Sequence, residues 1–178
     1  MSGDAMELTI FDELADANTA YVRDGGHHMV PVRPSRRLAV LTCMDSRIDV
    51  FAVLGLELGE AHVIRNAGAR VTDDALRSLA LSTHLLDTRS LALIAHTNCG
   101  VFDPEGTIDD RLAATMGRAP ASRDWHTFTD PRQALRDDAE RLLAWPDRPD
   151  GFALAAYLFD VETGALEEVV APQTAPAV

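Results

Sequence analysis

Two apolar runs, residues 38–42 and 91–95, most strongly constrain how this chain can fold. Each has the length of a strand and an unbroken apolar sequence, which is typical of a strand buried on both faces in a parallel sheet. Each run leads directly into residues that can ionise or bind a metal. Because ligand sites of open parallel sheets lie outside the carboxyl ends of the strands, these two segments are predicted to meet at one edge.

The segments around these runs predict an α/β fold. A short helix at residues 48–54 and a strand at 61–64 follow the first run, and a helix capped by Thr72 precedes the second. Strand, helix and strand in this order imply a mostly parallel central β-sheet flanked by helices. Residues 152–160 and 165–170 predict an antiparallel C-terminal hairpin.

The remaining segments are predicted from local signals. Apolar residues at helical spacing predict a projecting N-terminal helix over residues 6–23, which packs either on the chain's own core or on a second subunit. Asp130 followed by proline predicts the start of another helix. Residues 171–178 are predicted to form a frayed tail. A length of 178 residues without an internal linker predicts a single domain over residues 1–178.

Composition and charge exclude several classes of partner. A net charge of −12 argues against nucleic acid and anionic membranes, because both require a basic protein surface. No segment approaches the roughly 20 apolar residues of a membrane span, and residues 1–4 lack the basic and apolar regions of a signal peptide. These features predict a cytoplasmic protein whose two cysteines stay reduced, available for metal binding or catalysis.

The residues that follow the two runs form a candidate metal site. Cys43, Asp45 and Arg47 alternate after the first run, so in an extended chain they would share one face. His96 and Cys99 follow the second run at a spacing that lets a tight turn bring both to one ion. Two thiolates and one imidazole form a zinc ligand set that leaves a fourth position for water, and zinc lowers the pKa of that water toward neutrality.

Asp45 has two possible partners in such a site. It could be the fourth zinc ligand, which would close the site, or it could pair with Arg47, whose planar guanidinium binds a carboxylate through two hydrogen bonds. Paired in this way, Asp45 would orient the attacking hydroxide. A simpler alternative is that both cysteines are buried core residues, since free cysteine is often buried. The position of both motifs at strand ends favours a metal site.

These motifs resemble those of a known family, the β-class carbonic anhydrases. The resemblance is carried by Cys43-x-Asp45-x-Arg47, His96-x-x-Cys99-Gly100 and the intervening residues 59–68. It is close over residues 37–101 and looser over 152–170, and the short length is similar to that of the compact bacterial and archaeal members. It implies an α/β fold and a homodimer or a dimer of dimers, with the N-terminal helix lying over the neighbouring subunit.

The resemblance also implies what the residues do. The implied ligands of one Zn²⁺ per chain are Cys43, His96 and Cys99, with Asp45 as a ligand only in a closed state. The implied catalytic pair is Asp45 and Arg47, and the implied substrate-binding residues are Gly100, Asn66 and Gly68. The implied reaction is the reversible hydration of CO2 to bicarbonate by zinc-bound hydroxide.

Two other functions stay open at this point. The same zinc chemistry could hydrolyse carbonyl sulfide or carbon disulfide, which have the same linear shape as CO2. Alternatively, the chain could be an inactive, zinc-stabilised regulatory or structural protein in which Asp45 stays on the metal. The proton carrier is left unassigned among the other histidines, which are His27, His28, His62, His84 and His126. Asn98 stands where family members often have glycine or aspartate, and we expect it to be tolerated.

Overall fold

The structure is a computed structural model that describes residues 4–26, 29–121 and 124–176. The chain divides into two compact units, residues 1–31 and 32–178. The first unit contains helix α1, Asp4–Arg23, two residues longer at its start than predicted. His27 and His28 lie outside the described residues. That residues 1–178 form one domain stays a prediction.

The second unit is built on one five-stranded sheet. Its strands are β1 (Leu38–Cys43), β2 (Ala61–Asn66), β3 (Ser90–His96), β4 (Ala153–Phe159) and β5 (Leu166–Thr174). Their order across the sheet is β2-β1-β3-β4-β5. The neighbours from β2 to β4 pair in parallel, and β5 pairs antiparallel to β4. The predicted fold class, a mostly parallel sheet with an antiparallel C-terminal hairpin, is confirmed.

Helices connect the strands, and polar caps fix where the longer ones begin. They are α2 (Val50–Leu54), α3 (Asp73–His84), α4 (Ile108–Met116) and α5 (Pro131–Leu143). The Thr72 hydroxyl accepts the Ala75 amide at the start of α3, and the Asp130 carboxylate accepts the Arg132 amide at the start of α5. Both caps satisfy amides that have no partner within the helix, as predicted. None of the described helices is long and apolar enough to span a membrane.

Strand β1 holds the central place in this sheet. Its residues Ala39, Val40 and Leu41 have no exposed surface, which explains the unbroken apolar run. The chain leaves β1 to form β2 on one side and then crosses to form β3 on the other side. The strand order therefore reverses between β1 and β3, and the carboxyl ends of these two strands form the switch point at which ligand sites are expected.

The C-terminal tail prediction was wrong for residues 171–174. These residues belong to β5, because the pairing with β4 continues past an irregularity in register to the pairs of Leu154 with Gln173 and of Ala153 with Thr174. The amide of Ala175 then donates to the Phe152 carbonyl at 2.8 Å. Residues 177–178 lie outside the described part of the chain.

A largely buried ion pair ties the turn after β2 to α5. Arg70 donates from Nε to Asp138 Oδ2 at 2.7 Å and from Nη2 to Asp138 Oδ1 at 3.3 Å. The two side chains are only 17% and 8% exposed. The guanidinium also donates to the His126 carbonyl and lies 5.9 Å from the centre of the Phe128 ring. Because both charges are mostly removed from water, each depends on the other.

We expect Asp138→Asn to lower the free energy of unfolding by about 3 kcal/mol, because it leaves the Arg70 charge buried without a counter-ion. Urea denaturation of the metal-free protein at neutral pH measures this loss. The control is Asp74→Asn. Asp74 pairs with Arg77, and their side chains are 77% and 66% exposed, respectively. That control should cost less than about 1 kcal/mol. Equal losses in the two variants would contradict the prediction.

Candidate metal centre

Three potential ligands meet at the carboxyl ends of β1 and β3. Cys43 is the last residue of β1, His96 is the last residue of β3, and Cys99 lies in the turn that follows. One ligand atom from each lies within 4.8 Å of the other two, and the two sulfur atoms are 3.9 Å apart. All three residues are buried, with exposed fractions of 4%, 1% and 8%. The grouping predicted from the two apolar runs is therefore present.

The turn between His96 and Cys99 depends on a left-handed residue. Asn98 has a φ of 53°, a conformation that asparagine adopts more readily than most residues because its short polar side chain tolerates it. Its side chain is exposed, while its carbonyl accepts a hydrogen bond from Arg47 Nη2 at 3.0 Å. The position that departs from the family pattern thus contributes its backbone, not its side chain, to the centre.

His96 is oriented as a metal ligand. Its Nδ1 donates to the Thr97 carbonyl at 2.8 Å, which leaves the lone pair of Nε2 directed away from that bond. Among the described residues, Nε2 is one of the buried side-chain atoms without a hydrogen-bond partner. An unpaired buried nitrogen is costly. A bound cation would satisfy it, and a histidine whose other nitrogen is held by a carbonyl is typical of metal sites.

The two sulfur atoms lie in surroundings that favour a thiolate at Cys43 and a thiol at Cys99. Cys43 Sγ accepts the Gly68 amide at 3.3 Å, and it lies 3.9 Å from Cys99 Sγ. The hydrogen bond from the Cys99 thiol lowers the pKa of Cys43 well below its usual range despite burial. The same bond raises the pKa of Cys99, so without a metal the pair shares one proton. A metal cation would replace that proton.

The donor set fits zinc. Two sulfurs and one imidazole nitrogen are the ligands that zinc prefers, whereas calcium and magnesium require oxygen. Three protein ligands leave a position open for water or substrate, as in catalytic zinc sites. The cluster of Cys43, His96 and Cys99 can therefore hold this metal.

Asp45 and Arg47 pair with each other beside the cluster. Arg47 donates from Nε to Oδ1 at 2.9 Å and from Nη2 to Oδ2 at 2.7 Å. Oδ2 lies 3.8 Å from His96 Nε2, at the edge of the ligand set. Of the two arrangements predicted for Asp45, the structure has the one with arginine. The hydrogen bonds from Arg47 hold the pKa of Asp45 far below its usual range, so the carboxylate is ionised at neutral pH.

The route to this pair differs from the prediction. β1 ends at Cys43, so Asp45 and Arg47 do not continue an extended strand with a common face. The chain turns instead, with the Ile48 amide donating to the Asp45 carbonyl at 3.2 Å and the Arg47 amide donating to Asp45 Oδ1 at 2.9 Å. The spacing of two residues is explained by this turn rather than by strand periodicity.

The other predicted site residues lie around the cluster in different settings. Both polar side-chain atoms of Asn66 bond to the backbone of Arg70, at 2.7 and 2.8 Å. Gly68 is buried and directs its amide to Cys43, whereas Gly100 is exposed. Asn66 and Gly68 therefore support the turn beside Cys43. A contact of Asn66, Gly68 or Gly100 with substrate stays a prediction.

Two features of the site could not be predicted from local sequence patterns. Arg65 donates to the backbone carbonyls of Cys43 and Asp45, a contact that requires knowing that β2 lies beside β1. A cavity of about 170 Å³ adjoins the turn from His96 to Cys99. Its apolar walls are Phe102, Phe128, Pro131 and Leu158, with Arg132 at the side. Phe102 and Phe128 lie between β3 and α5.

We expect Gly68→Ala to destabilise the protein and weaken zinc retention. Gly68 has a φ of 80°, and an added Cβ would lie 2.5 Å from Val101 Cγ2, so the turn that donates to Cys43 must shift. The control is Gly106→Ala, with a φ of 66° and open space around the added atom. It shares the backbone strain but not the clash, so Gly68→Ala should cost about 1–3 kcal/mol more.

Urea denaturation of both metal-free variants, with zinc competition against a chromophoric chelator, measures the two effects. A Gly68→Ala protein as stable as the control, with unchanged zinc affinity, would contradict the assignment of this turn.

Comparison with known proteins gives a consistent result. The family model described as carbonic anhydrase matches residues 38–126. Beta-carbonic anhydrase 1 of Mycobacterium bovis is 38% identical over 164 residues, which span 91% of this chain and 99% of the relative. A carbon disulfide hydrolase of Acidianus sp. strain A1-3 is 48% identical, across 75% of this chain and 78% of the relative.

A solved structure supports the same relationship. The crystal structure of carbonic anhydrase from Streptococcus mutans superposes with a TM-score of 0.81 at 38% identity, covering 89% of this chain and 96% of that one. The fold, the buried cluster of two cysteines and a histidine, and the relatives that span nearly the whole sequence agree. The chain belongs to the β-class carbonic anhydrase family.

Proposed function

We propose that this chain catalyses the reversible hydration of CO2 to bicarbonate, with one Zn²⁺ held by Cys43, His96 and Cys99. The observation that carries the proposal is the three-ligand cluster with an ionised carboxylate fixed at its edge. Zinc held by these three residues would lower the pKa of a bound water toward neutrality and so supply a nucleophile at physiological pH.

Asp45 is proposed to orient the attacking water. Its carboxylate accepts hydrogen bonds only, because its depressed pKa keeps it ionised. Arg47 donates to both carboxylate oxygens and would so hold Asp45 away from a metal bound by Cys43, His96 and Cys99. A lone pair of Oδ2 can still accept a hydrogen bond from a water placed near His96 Nε2, and this fixes the direction of attack.

Substrate is proposed to bind beside the cluster, where Gly100 is exposed. The Gly100 amide follows the ligand Cys99 and can donate to a substrate oxygen on which negative charge develops. Asn66 and Gly68 contribute indirectly, because they fix the turn behind Cys43. The apolar cavity beside the ligand turn suits a nonpolar linear molecule.

Hydrolysis of carbon disulfide or carbonyl sulfide is the second candidate. The 48% identity to a carbon disulfide hydrolase favours it, and the apolar walls of the cavity would accept either sulfur compound. All three substrates require the same nucleophile and the same ligand set. The choice between them therefore depends on which molecules reach the cluster.

We expect stopped-flow measurements on protein with one zinc per chain to give CO2 hydration that is faster at mildly alkaline than at neutral pH.

Arg47→Ala should lower kcat on the order of 100-fold, because Asp45 loses the partner that positions it. The control is Arg77→Ala, which removes an exposed arginine paired with Asp74. Release of H2S from carbon disulfide, without hydration of CO2, would establish the second candidate. Arg47→Ala at full activity would contradict the role of the pair.

A homodimer is proposed to form through α1. Five large apolar side chains lie on one side of this helix and are 46–62% exposed, namely Ile10, Phe11, Leu14, Tyr21 and Val22. The opposite side carries Asp12, Asp16 and Thr19. A helix with such a stripe gains stability only by burying it. A second copy of this chain is the occupant that the family relationship favours, and dimers could pair further.

We expect Leu14→Asp to shift the protein from dimer toward monomer, because it places a charge in the proposed interface. Thr19→Asp adds the same charge to the opposite side of α1 and serves as the control. Sedimentation velocity over a range of protein concentrations measures both. A wild-type protein that stays monomeric, or a dimer unaffected by Leu14→Asp, would contradict this interface.

The proposed compartment is the cytoplasm. The two cysteines are free and 3.9 Å apart, so an oxidising compartment would favour their oxidation over zinc binding. A reducing compartment keeps both available as thiolates.

A further inference from the structure

Arg65 contacts the metal-ligand turn without contacting any ligand atom. It lies near the end of β2, in register with Thr42 of β1. The last main-chain hydrogen bond between the two segments runs from the Met44 amide to the Asn66 carbonyl at 2.9 Å. Beyond that point the strand pairing ends, and the backbone that carries Cys43 and Asp45 needs other partners.

The Arg65 guanidinium supplies two of them. Its Nε donates to the Cys43 carbonyl at 2.8 Å and its Nη2 donates to the Asp45 carbonyl at 2.5 Å. The donors of a guanidinium have fixed positions in one plane, so the two carbonyls are held at a fixed separation. A lysine at this position offers a single ammonium nitrogen and cannot reproduce this geometry.

Holding these two carbonyls also positions the Cys43 sulfur and the Asp45 carboxylate. Only one residue separates Cys43 from Asp45, and Arg65 holds the carbonyls of both, so the path of the backbone between them sets the ligand sulfur and the carboxylate relative to each other. Arg47 holds the Asp45 side chain, and Arg65 holds the backbone to which that side chain is attached. The two arginines therefore act on different parts of one turn.

We propose that Arg65 is a positioning residue for catalysis, which places Cys43 and Asp45 for zinc binding and for orientation of the attacking water. The role rests on the proposed function of the cluster. Arg65 contacts neither a ligand atom nor the Asp45 carboxylate, so it is not itself a catalytic residue.

The test compares Arg65→Gln and Arg65→Lys with Arg77→Gln, which removes an exposed arginine of α3. We expect Arg65→Gln to retain one zinc per chain and to lower kcat about 10- to 100-fold, with a smaller change in KM, because the turn is misplaced rather than the substrate site removed. Arg65→Lys keeps the charge but should recover only part of kcat. Arg77→Gln should match wild type.

Two further measurements separate positioning from a general loss of structure. Hydrogen exchange should be faster over residues 43–47 in Arg65→Gln, with or without zinc, and unchanged over β4. Millimolar guanidinium should restore part of the kcat of Arg65→Ala, whereas ammonium should not.

The outcomes distinguish this role from the proposed reaction. If wild type hydrates CO2, and Arg65→Gln matches it in kcat and in exchange over residues 43–47, the positioning role is overturned. Faster exchange spread equally across the sheet would also overturn it. If wild type does not hydrate CO2, the proposed reaction fails, and exchange over residues 43–47 still tests whether Arg65 holds the turn.

Discussion

The parallel pairing of β1 with β3 is the interaction on which the rest of the structure depends. The register that pairs Leu38 with Ser90 continues to Thr42 and Ile94, so Cys43 and His96 reach the same edge of the sheet within one residue of each other. Both strands are almost fully buried, and a shift of one residue would turn their apolar side chains and Cys43 to the opposite faces. The core therefore fixes the position of the ligands before any metal binds.

The ligand atoms are buried, and a bound metal would stabilise them. An imidazole nitrogen without a partner and two sulfurs that share one proton are unfavourable in a core. The Gly68 amide reduces the cost of the thiolate charge on Cys43. Arg70, two residues after Gly68, pairs with Asp138 of α5, and this ion pair holds the turn in place. Fold stability and metal binding are linked through these contacts.

Local sequence patterns predicted two central strands, the starts of two helices and the ligand set. Unbroken apolar runs identified β1 and β3, and capping residues identified the starts of α3 and α5. The ligand set followed because both motifs come directly after those strands. Contacts between distant segments were not predictable in this way. The contact of Arg65 depends on the register of β2, the extension of β5 depends on β4, and the pairing of Asp45 with Arg47 arises from a turn that strand periodicity does not describe.

The arginines around the cluster also affect charge. With zinc bound as proposed, the metal balances the two thiolates, and Arg47 balances Asp45. The guanidinium of Arg65 bonds to carbonyls, and no ion pair is found for it among the described residues, so its positive charge is not cancelled locally. The chain as a whole carries −12, which would repel bicarbonate. A local positive charge beside the cluster opposes that repulsion where the anion must bind and leave.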